Sequence, residues 1–420
     1  MKILVVGGGA REHTLVCKLA QNPIVDKIYV APGNAGTSSI AANIDISPND
    51  FDKLVGFANE NDVGLVVVGP EAPLANGIVD HFHNAGISAF GPTKLASIIE
   101  SSKTFSKELM FKYGVPCAAS RTFDTLSEAQ SYVKTQPLPI VIKADGLAAG
   151  KGVIIATTEQ EALSALEDIM GQRVFGDAGN SVLIEECMVG KEVSLLVFTD
   201  GKTVVPMIPA CDYKRIRDND EGPNTGGMGS YSPPGFFDDK AKQTVMDTIA
   251  VPVVEAMNAE GRPYRGVLYV GLMITSDGPK VVEFNARFGD PETQVLLPRL
   301  KTDLVEIMMA VDEGRLDEID IEWSDDPCVG VVLASGGYPG KYGTGYEITG
   351  LDSLDDGIEV FHAGTKLDGS KVVTSGGRVL TVVASGATIA IARDKVYANI
   401  GRIGFEGANF RADIALREVS

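Results

Sequence analysis

Three times in its first hundred residues the chain runs an apolar, strand-like segment into a glycine-bearing turn. Residues 2–6 lead into Gly7-Gly8-Gly9, residues 26–31 into Pro32-Gly33-Asn34-Ala35-Gly36, and residues 63–68 into Gly69-Pro70-Glu71. Helical patterning separates the strands at 11–21 and 51–61, and a further helix at 77–85 precedes a short strand at 87–90. Strands alternating with helices dictate a parallel, doubly wound α/β sheet. Such sheets take their ligands at the carboxyl ends of the strands. Three glycine loops at three successive strand ends therefore mark a ligand edge. The opening apolar run is too short for a signal-peptide core and reads as the first strand.

Beyond residue 100 the pattern changes. A helix at 101–113 is broken by Gly114-Val115-Pro116, and short strands are expected at 140–143, 152–156 and 182–185 around a helix at 159–170. Further strands at 193–199, 204–208, 266–275 and 280–284 surround a helix at 239–258. Strands and hairpins of this kind indicate α+β units. The tail is rich in strands (328–334, 359–362, 377–383) and ends in a helix at 388–400, with Thr388 as N-cap and Gly401 as stop. A length of 420 residues corresponds to about three domains.

Apolar residues make up 44% and charged residues 22%, which supports several packed cores. Lys and Arg number 37 against 56 Asp and Glu, a formal net charge of −19. That excludes a nucleic-acid polymer or an anionic membrane as a partner, both of which need a basic surface. It leaves room for small anions held by a few placed cations and backbone N–H groups. The five cysteines are scattered without CxxC or Cys/His spacing and read as reduced structural thiols of a cytoplasmic protein. His81 and His83 form an HxH pair that reads as a solvated helix or loop rather than a zinc site.

Five segments carry chemistry. The first glycine loop departs from the dinucleotide fingerprint, because Glu12 stands where its last glycine belongs and the second strand ends in Ala31-Pro32-Gly33 instead of an acidic residue. A smaller phosphorylated ligand fits better than NAD. Residues 140–153 join two strands by a loop containing Gly146, Gly150 and Gly152. Gly152 follows Lys151, so this is no Walker A loop, but such a loop can fold over a polyphosphate while Lys143 meets its α- and β-phosphates. At 183–193 the backbone of Glu186 to Met188 could meet an adenine edge and Glu192 ribose hydroxyls. Glu283 and Asn285 share one face of a strand by period-2 alternation, and are hard oxygen ligands suited to Mg²⁺. Arg287 follows on that face, with a planar fork for carboxylate or phosphate. Thr225, Gly226 and Gly227 could wrap an anion.

Residues 7–13, 32–36, 69–74, 102–105, 143–153, 224–229 and 283–294, with 361–365 and 376–380 in the tail, together resemble the glycinamide ribonucleotide synthetase family of the ATP-grasp superfamily, over nearly the whole chain. Three residues depart from that family's pattern: Ala10 replaces a usual glycine, Cys117 stands where threonine is frequent, and Asn219 where glycine is frequent. The resemblance implies an N-terminal α/β substrate domain (1–101), an ATP-grasp core (102–122 and 190–326), a mobile ATP-grasp lid (123–189) and a small β-rich α+β C-terminal domain (327–420). It implies a ligase that joins glycine to 5-phosphoribosylamine with ATP and Mg²⁺ or Mn²⁺, through a glycyl phosphate, in purine biosynthesis. Small molecules are then its only partners, and the protein is a monomer.

Carried over, the resemblance puts Lys103 and Lys143 on ATP phosphates, Gly146, Gly150 and Gly152 above them, Glu185, Glu186 and Met188 at the adenine and Glu192 at the ribose. It makes Glu283 and Asn285 the metal ligands, and Arg287 and Lys143 the catalytic cations. Gly8, Gly9, Arg11, Gly33 and Asn34 would face the sugar phosphate, and Arg287, with Thr225, Gly226 and Gly227 nearby, glycine or the phosphorylated intermediate; Glu71, Asp212, Lys214 and Asp290 would also bind substrate. A cleft taking only anions should be locally basic, lined by Arg11, Lys103, Lys143, Lys214 and Arg287.

Overall fold

In a computed structural model, which describes residues 1–148 and 152–419, the first sheet has five parallel strands in the order Ala42–Asn43, Lys27–Pro32, Lys2–Gly7, Val63–Val68, Ala89–Phe90. Its strands read Ile-Leu-Val-Val (residues 3–6) and Leu-Val-Val-Val (residues 65–68) without alternation because helices cover both faces. The strand order reverses between Lys2–Gly7 and Val63–Val68, so the crevice opens between the loops at Gly8-Gly9 and Gly69. A helix at Glu71–Asn76 was not foreseen: it is six residues long, contains Pro73 and has no apolar period to betray it. It places Glu71 in its first turn, beside the crevice.

The segment after Gly114 forms a small unit of its own. Four antiparallel strands lie in the order Ser120–Phe123, Val182–Glu186, Ile140–Ala144, Val153–Ala156, with helices Leu126–Val133 and Glu159–Leu166 packed against them. Phe123, Ile140, Ile142, Ala162, Leu166 and Ile184 fill a core that is separate from the others. The expected helix at 159–170 stops at Leu166 and continues as one wider turn, Glu167–Gly171.

A second antiparallel sheet, in the order Val204–Pro206, Lys191–Thr199, Gly266–Thr275, Gly278–Asn285, carries the main site. Helices Asp239–Val245 and Val251–Ala259, joined by a wider turn at Met246–Ala250, bury Val245, Ile249, Val253 and Met257 against it.

The tail strands Cys328–Ala334, Arg378–Ser385 and Ile358–His362 do not form a closed sheet. Gly229–Ser232 pairs with Cys328–Ala334, and Cys211–Asp212 extends the sheet by one more strand. One five-stranded sheet therefore runs across residue 327. Helix Ile389–Ile400 packs on it, capped by Thr388, whose hydroxyl accepts from the Ile391 N–H at 3.2 Å. A hairpin of Thr365–Asp368 and Lys371–Thr374 also escaped the sequence pattern. Asn219 has φ +59°, a conformation glycine adopts freely and asparagine tolerates best among the rest, so its place at a frequent glycine position is physically sound.

Candidate active site

Gly278–Asn285 is the hub. Glu283 pairs with Gly271 and Val281 with Leu272, so Val282 is an extra residue, a β-bulge. The bulge leaves the Val282 carbonyl outside the regular ladder, and Lys143 Nζ, arriving from the small unit, donates to it at 2.9 Å. The same ammonium lies 2.7 Å from Glu185 Oε2, and Lys107 Nζ lies 3.0 Å from Glu185 Oε1. All three side chains are buried. The Glu185 side chain thus serves two lysines. Glu186 is half-exposed and accepts from the Ala119 N–H at 3.0 Å, and Met188 lies two residues further along the connecting loop.

Lys103 opens helix Lys103–Tyr113 and donates to the Gly146 carbonyl at 2.8 Å; burial pushes its ammonium pKa down. Asp145, next to Gly146, accepts from the Thr104 N–H at 3.1 Å and the Ser102 hydroxyl at 3.3 Å. The glycine loop is therefore fastened at its near end to the helix N-terminus, where a carboxylate meets free N–H groups. Gly152 is described; Gly150 lies outside the described residues.

Glu283 and Asn285 lie on one face of their strand, as period 2 requires. Glu283 has no hydrogen bond or ion pair of its own among the described residues, while Asn285 Oδ1 accepts from Arg287 Nη2 at 3.3 Å. A half-buried carboxylate without a contacting counter-ion, next to an amide oxygen, fits a hard divalent cation. No cluster of three or more His, Cys, Asp or Glu with metal-binding geometry exists among the described residues. The remaining ligands would then be substrate and water oxygens, as is usual for Mg²⁺.

The strand ends at Asn285, so Arg287 reaches the site from the following turn. Its Nε donates to Glu71 Oε2 at 3.1 Å and its Nη1 to the Phe288 carbonyl at 3.1 Å, and Glu100 Oε1 lies 3.4 Å from Nη2. Arg11 comes from the first helix to the same turn: its Nη1 donates to the Phe288 carbonyl at 3.2 Å and its Nε to Glu12 Oε1 at 2.6 Å. Glu12, in the position of the missing third glycine, also accepts from the Gly9 N–H at 2.6 Å. Gly8 must be glycine because a Cβ there would lie 2.6 Å from the Gly33 carbonyl oxygen. Asn34 is spent on structure, with Nδ2 donating to the Gly8 carbonyl at 3.0 Å and the His362 carbonyl at 2.7 Å, and Oδ1 accepting from Gly36 and Thr37.

Lys214 pairs with Glu192 at 2.5 Å, and this ammonium, against burial, holds the Glu192 carboxyl below its usual range. Beside them Asp212 is pushed up to about 7 by burial, an effect Lys214 opposes and Glu292, Glu192 and Glu283 reinforce. Thr225 Oγ1 donates to the Lys214 carbonyl at 2.8 Å and accepts from the Gly227 N–H at 3.0 Å. Gly227 has φ +109°, which a side chain would resist.

Arg378 and Tyr338, from the tail, were not anticipated. Arg378 Nη1 donates to the Gly226 carbonyl at 2.5 Å and the Asp290 carbonyl at 2.8 Å, and Nη2 lies 3.3 Å from Asp290 Oδ2; the Gly226 N–H donates to the Tyr338 hydroxyl at 3.0 Å. Burial raises the Asp290 carboxyl, but Arg378 and then Arg11 bring it below its usual range. The only sequence signal for Arg378 is its place within residues 376–380. Asp145 had only its place within residues 143–153, and Glu100 and Lys107 gave none, since their partners lie far along the chain or across a domain seam.

The five cations expected in the cleft do gather around residues 282–290 and the adjoining strands. Four of them are already matched by carboxylates: Arg11 by Glu12, Arg287 by Glu71 and Glu100, Lys143 by Glu185, Lys214 by Glu192. The lining is a lattice of ion pairs rather than a bare basic surface.

A small antiparallel unit whose strand lysine, Lys143, reaches across to a larger antiparallel sheet defines an ATP-grasp protein. Family models match in three consecutive parts: "Phosphoribosylglycinamide synthetase, N domain" over residues 1–100, its "ATP-grasp (A) domain" over 101–293, and its "C domain" over 328–417. The chain belongs to the phosphoribosylglycinamide synthetase family. It is 50% identical to the phosphoribosylamine–glycine ligase of Halalkalibacterium halodurans, over 100% of this chain and 98% of that one. With that of Yersinia pestis it is also 50% identical, over 100% and 99%. The crystal structure of phosphoribosylamine–glycine ligase from Thermotoga maritima superposes with a TM-score of 0.87 at 32% identity, covering 99% of this chain and 100% of that one. The biotin carboxylase domain of Hydrogenobacter thermophilus 2-oxoglutarate carboxylase shares the fold at 17% identity (TM-score 0.74, covering 97% and 91%).

Proposed function

We propose that this chain is an ADP-forming carboxylate–amine ligase that joins glycine to 5-phosphoribosylamine, giving glycinamide ribonucleotide, ADP and phosphate in purine biosynthesis. The observation that carries the reading is the convergence on residues 282–290 of a glycine-bearing turn bound by Lys103, a carboxylate without a contacting counter-ion among the described residues beside an amide oxygen, and an arginine fork.

A carboxylate is a poor electrophile, so one glycine carboxylate oxygen takes the γ-phosphoryl group of ATP, releasing ADP. The phosphoribosylamine nitrogen then attacks the acyl carbon, loses a proton, and phosphate departs. Lys143 has spent two of its three N–H donors and Lys103 one, so each keeps a donor for a phosphate oxygen. Glu283 and Asn285 would hold Mg²⁺ or Mn²⁺, which neutralises charge on the transferring phosphoryl group. Arg287 receives the glycine carboxylate, and its hydrogen bond to the Phe288 carbonyl keeps the guanidinium in place for the reaction step. Gly8, Gly9 and Arg11 receive the sugar phosphate, Glu192 the ATP ribose, and Thr225 to Gly227 the glycyl side. A lid over the site would keep water from the acyl phosphate. The enzyme works as a cytoplasmic monomer on small molecules.

ADP release with ATP and Mg²⁺, supplying glycine and phosphoribosylamine separately and together, tests this. Full turnover should need both. ADP formation indifferent to either substrate overturns the assignment.

A further inference from the structure

Glu100 is a buried carboxylate that the reaction above does not use. It lies on the short helix Ile98–Ser101, where the N-terminal sheet hands over to the ATP-grasp core. Its Oε2 accepts from the Ala286 N–H at 2.7 Å, and its Oε1 lies 3.4 Å from Arg287 Nη2. Ala286 is the single residue between Asn285 and Arg287, so Glu100 grips the peptide that joins the two groups.

Two carboxylates thus share one guanidinium, and they differ in exposure. The Glu71 side chain is 31% exposed and that of Glu100 only 8%. Burying a second carboxylate beside an arginine that already has one is costly. A glutamine would satisfy the Ala286 N–H equally well, and an apolar residue would fill the space more cheaply. The charge therefore requires a reason beyond folding. Burial and the nearby Glu71 both push the Glu100 carboxyl up against the pull of Arg287, as expected of a group kept where it is expensive.

We propose that Glu100 is a positioning residue for the glycine subsite: it fixes the Ala286 peptide and the inner edge of the Arg287 guanidinium, leaving the Glu71 side as the exchangeable one. The glycine carboxylate enters by taking the place of Glu71 on Arg287, while Glu100 stays. This rests on the reading that Arg287 receives glycine. Without the Glu100 charge the guanidinium turns toward Glu71, and glycine must compete with a better-seated internal carboxylate.

The test is steady-state kinetics on Glu100→Gln, which keeps an acceptor for Ala286 but loses the charge, with Glu100→Asp, which keeps the charge, and Arg287→Lys as reference. Glu100→Gln should raise KM for glycine about tenfold or more while KM for ATP and the melting temperature stay near wild type. Glu100→Asp should recover part of the loss. Adding Glu71→Gln to Glu100→Gln should bring the glycine KM back down, because the competitor is gone. An unchanged glycine KM in Glu100→Gln, with a raised one in Arg287→Lys, overturns the positioning role alone. Parallel loss of stability and of affinity for every substrate makes Glu100 merely structural and overturns it too. If Arg287→Lys leaves glycine KM unchanged, the reading of Arg287 falls first and the proposal with it.

Discussion

Glu283 and Glu185 are both glutamates near the phosphate end of the site, and their surroundings give them opposite tasks. Among the described residues Glu283 has no contacting counter-ion, so removing its charge costs the fold little and, if it holds the proposed metal, the site much. Glu283→Gln should lower kcat at least about a hundredfold while the melting temperature moves by less than about 2 °C; near-normal turnover would remove it as a ligand. Glu185 is enclosed between Lys107 and Lys143. Glu185→Ala strands two buried ammonium groups and should cost about 3–5 kcal/mol in denaturant unfolding. A loss below about 1 kcal/mol would mean that water reaches the lysines. Glu283 with Asn285 was legible because two residues on one strand share a face whatever the rest of the chain does. The task of Glu185 was not, since it depends on Lys107, which approaches from another element.

At the scale of elements, four of the five strands of the first sheet, the long strand 266–275 and the centre of its partner (280–284) followed from composition and period, while the short edge strand Ala42–Asn43 did not. The bulge at Val282 did not, because nothing in Lys280-Val281-Val282-Glu283 says which residue is left out of register. Yet that bulge frees the carbonyl that receives Lys143. The loop bearing Thr225 to Gly227 was recognisable from its glycines, but its fastening to the tail was not, because Arg378 lies far along the chain. Arg378→Ala removes three donations to carbonyls and the ion pair to Asp290. Amide hydrogen exchange across 214–229 should then quicken about tenfold or more, with the first sheet unaffected. Unchanged protection there would show that Tyr338 and Thr225 hold the loop unaided.

For the whole molecule, the seam between the first sheet and the tail contains a pair of buried histidines. His13 Nδ1 accepts from the His362 N–H at 2.8 Å, and the two rings meet edge-on with centroids 5.5 Å apart. Burial lowers His13 to about 3, with His362 adding to the effect, and burial lowers His362 to about 4. Both are therefore neutral in the fold. Above pH ~6.5 the unfolded imidazoles are neutral too, and stability is complete. As pH falls below that value the unfolded chain takes up protons first, so stability drops by up to about 1.4 kcal/mol per pH unit for each imidazole until about pH 4 to 3. Thermal melts from pH 8 to 4 should show this slope, reduced in His13→Asn; an equal slope in that variant would place the titration elsewhere. The seam was invisible in the sequence because its two halves are almost a chain length apart.

The sheet that crosses residue 327 also sets an order in time. Gly229–Ser232 emerges from the ribosome about a hundred residues before its neighbour Cys328–Ala334. The first sheet closes with Ala89–Phe90 and can form early. The loop carrying Thr225 to Gly227 can bond early to Tyr213 and Lys214 but must wait for its fastening to Tyr338 and Arg378 in the last third of the chain. A nascent chain arrested short of that strand would hold a folded front end and an unfinished catalytic cleft, so competence arrives only when translation is nearly over.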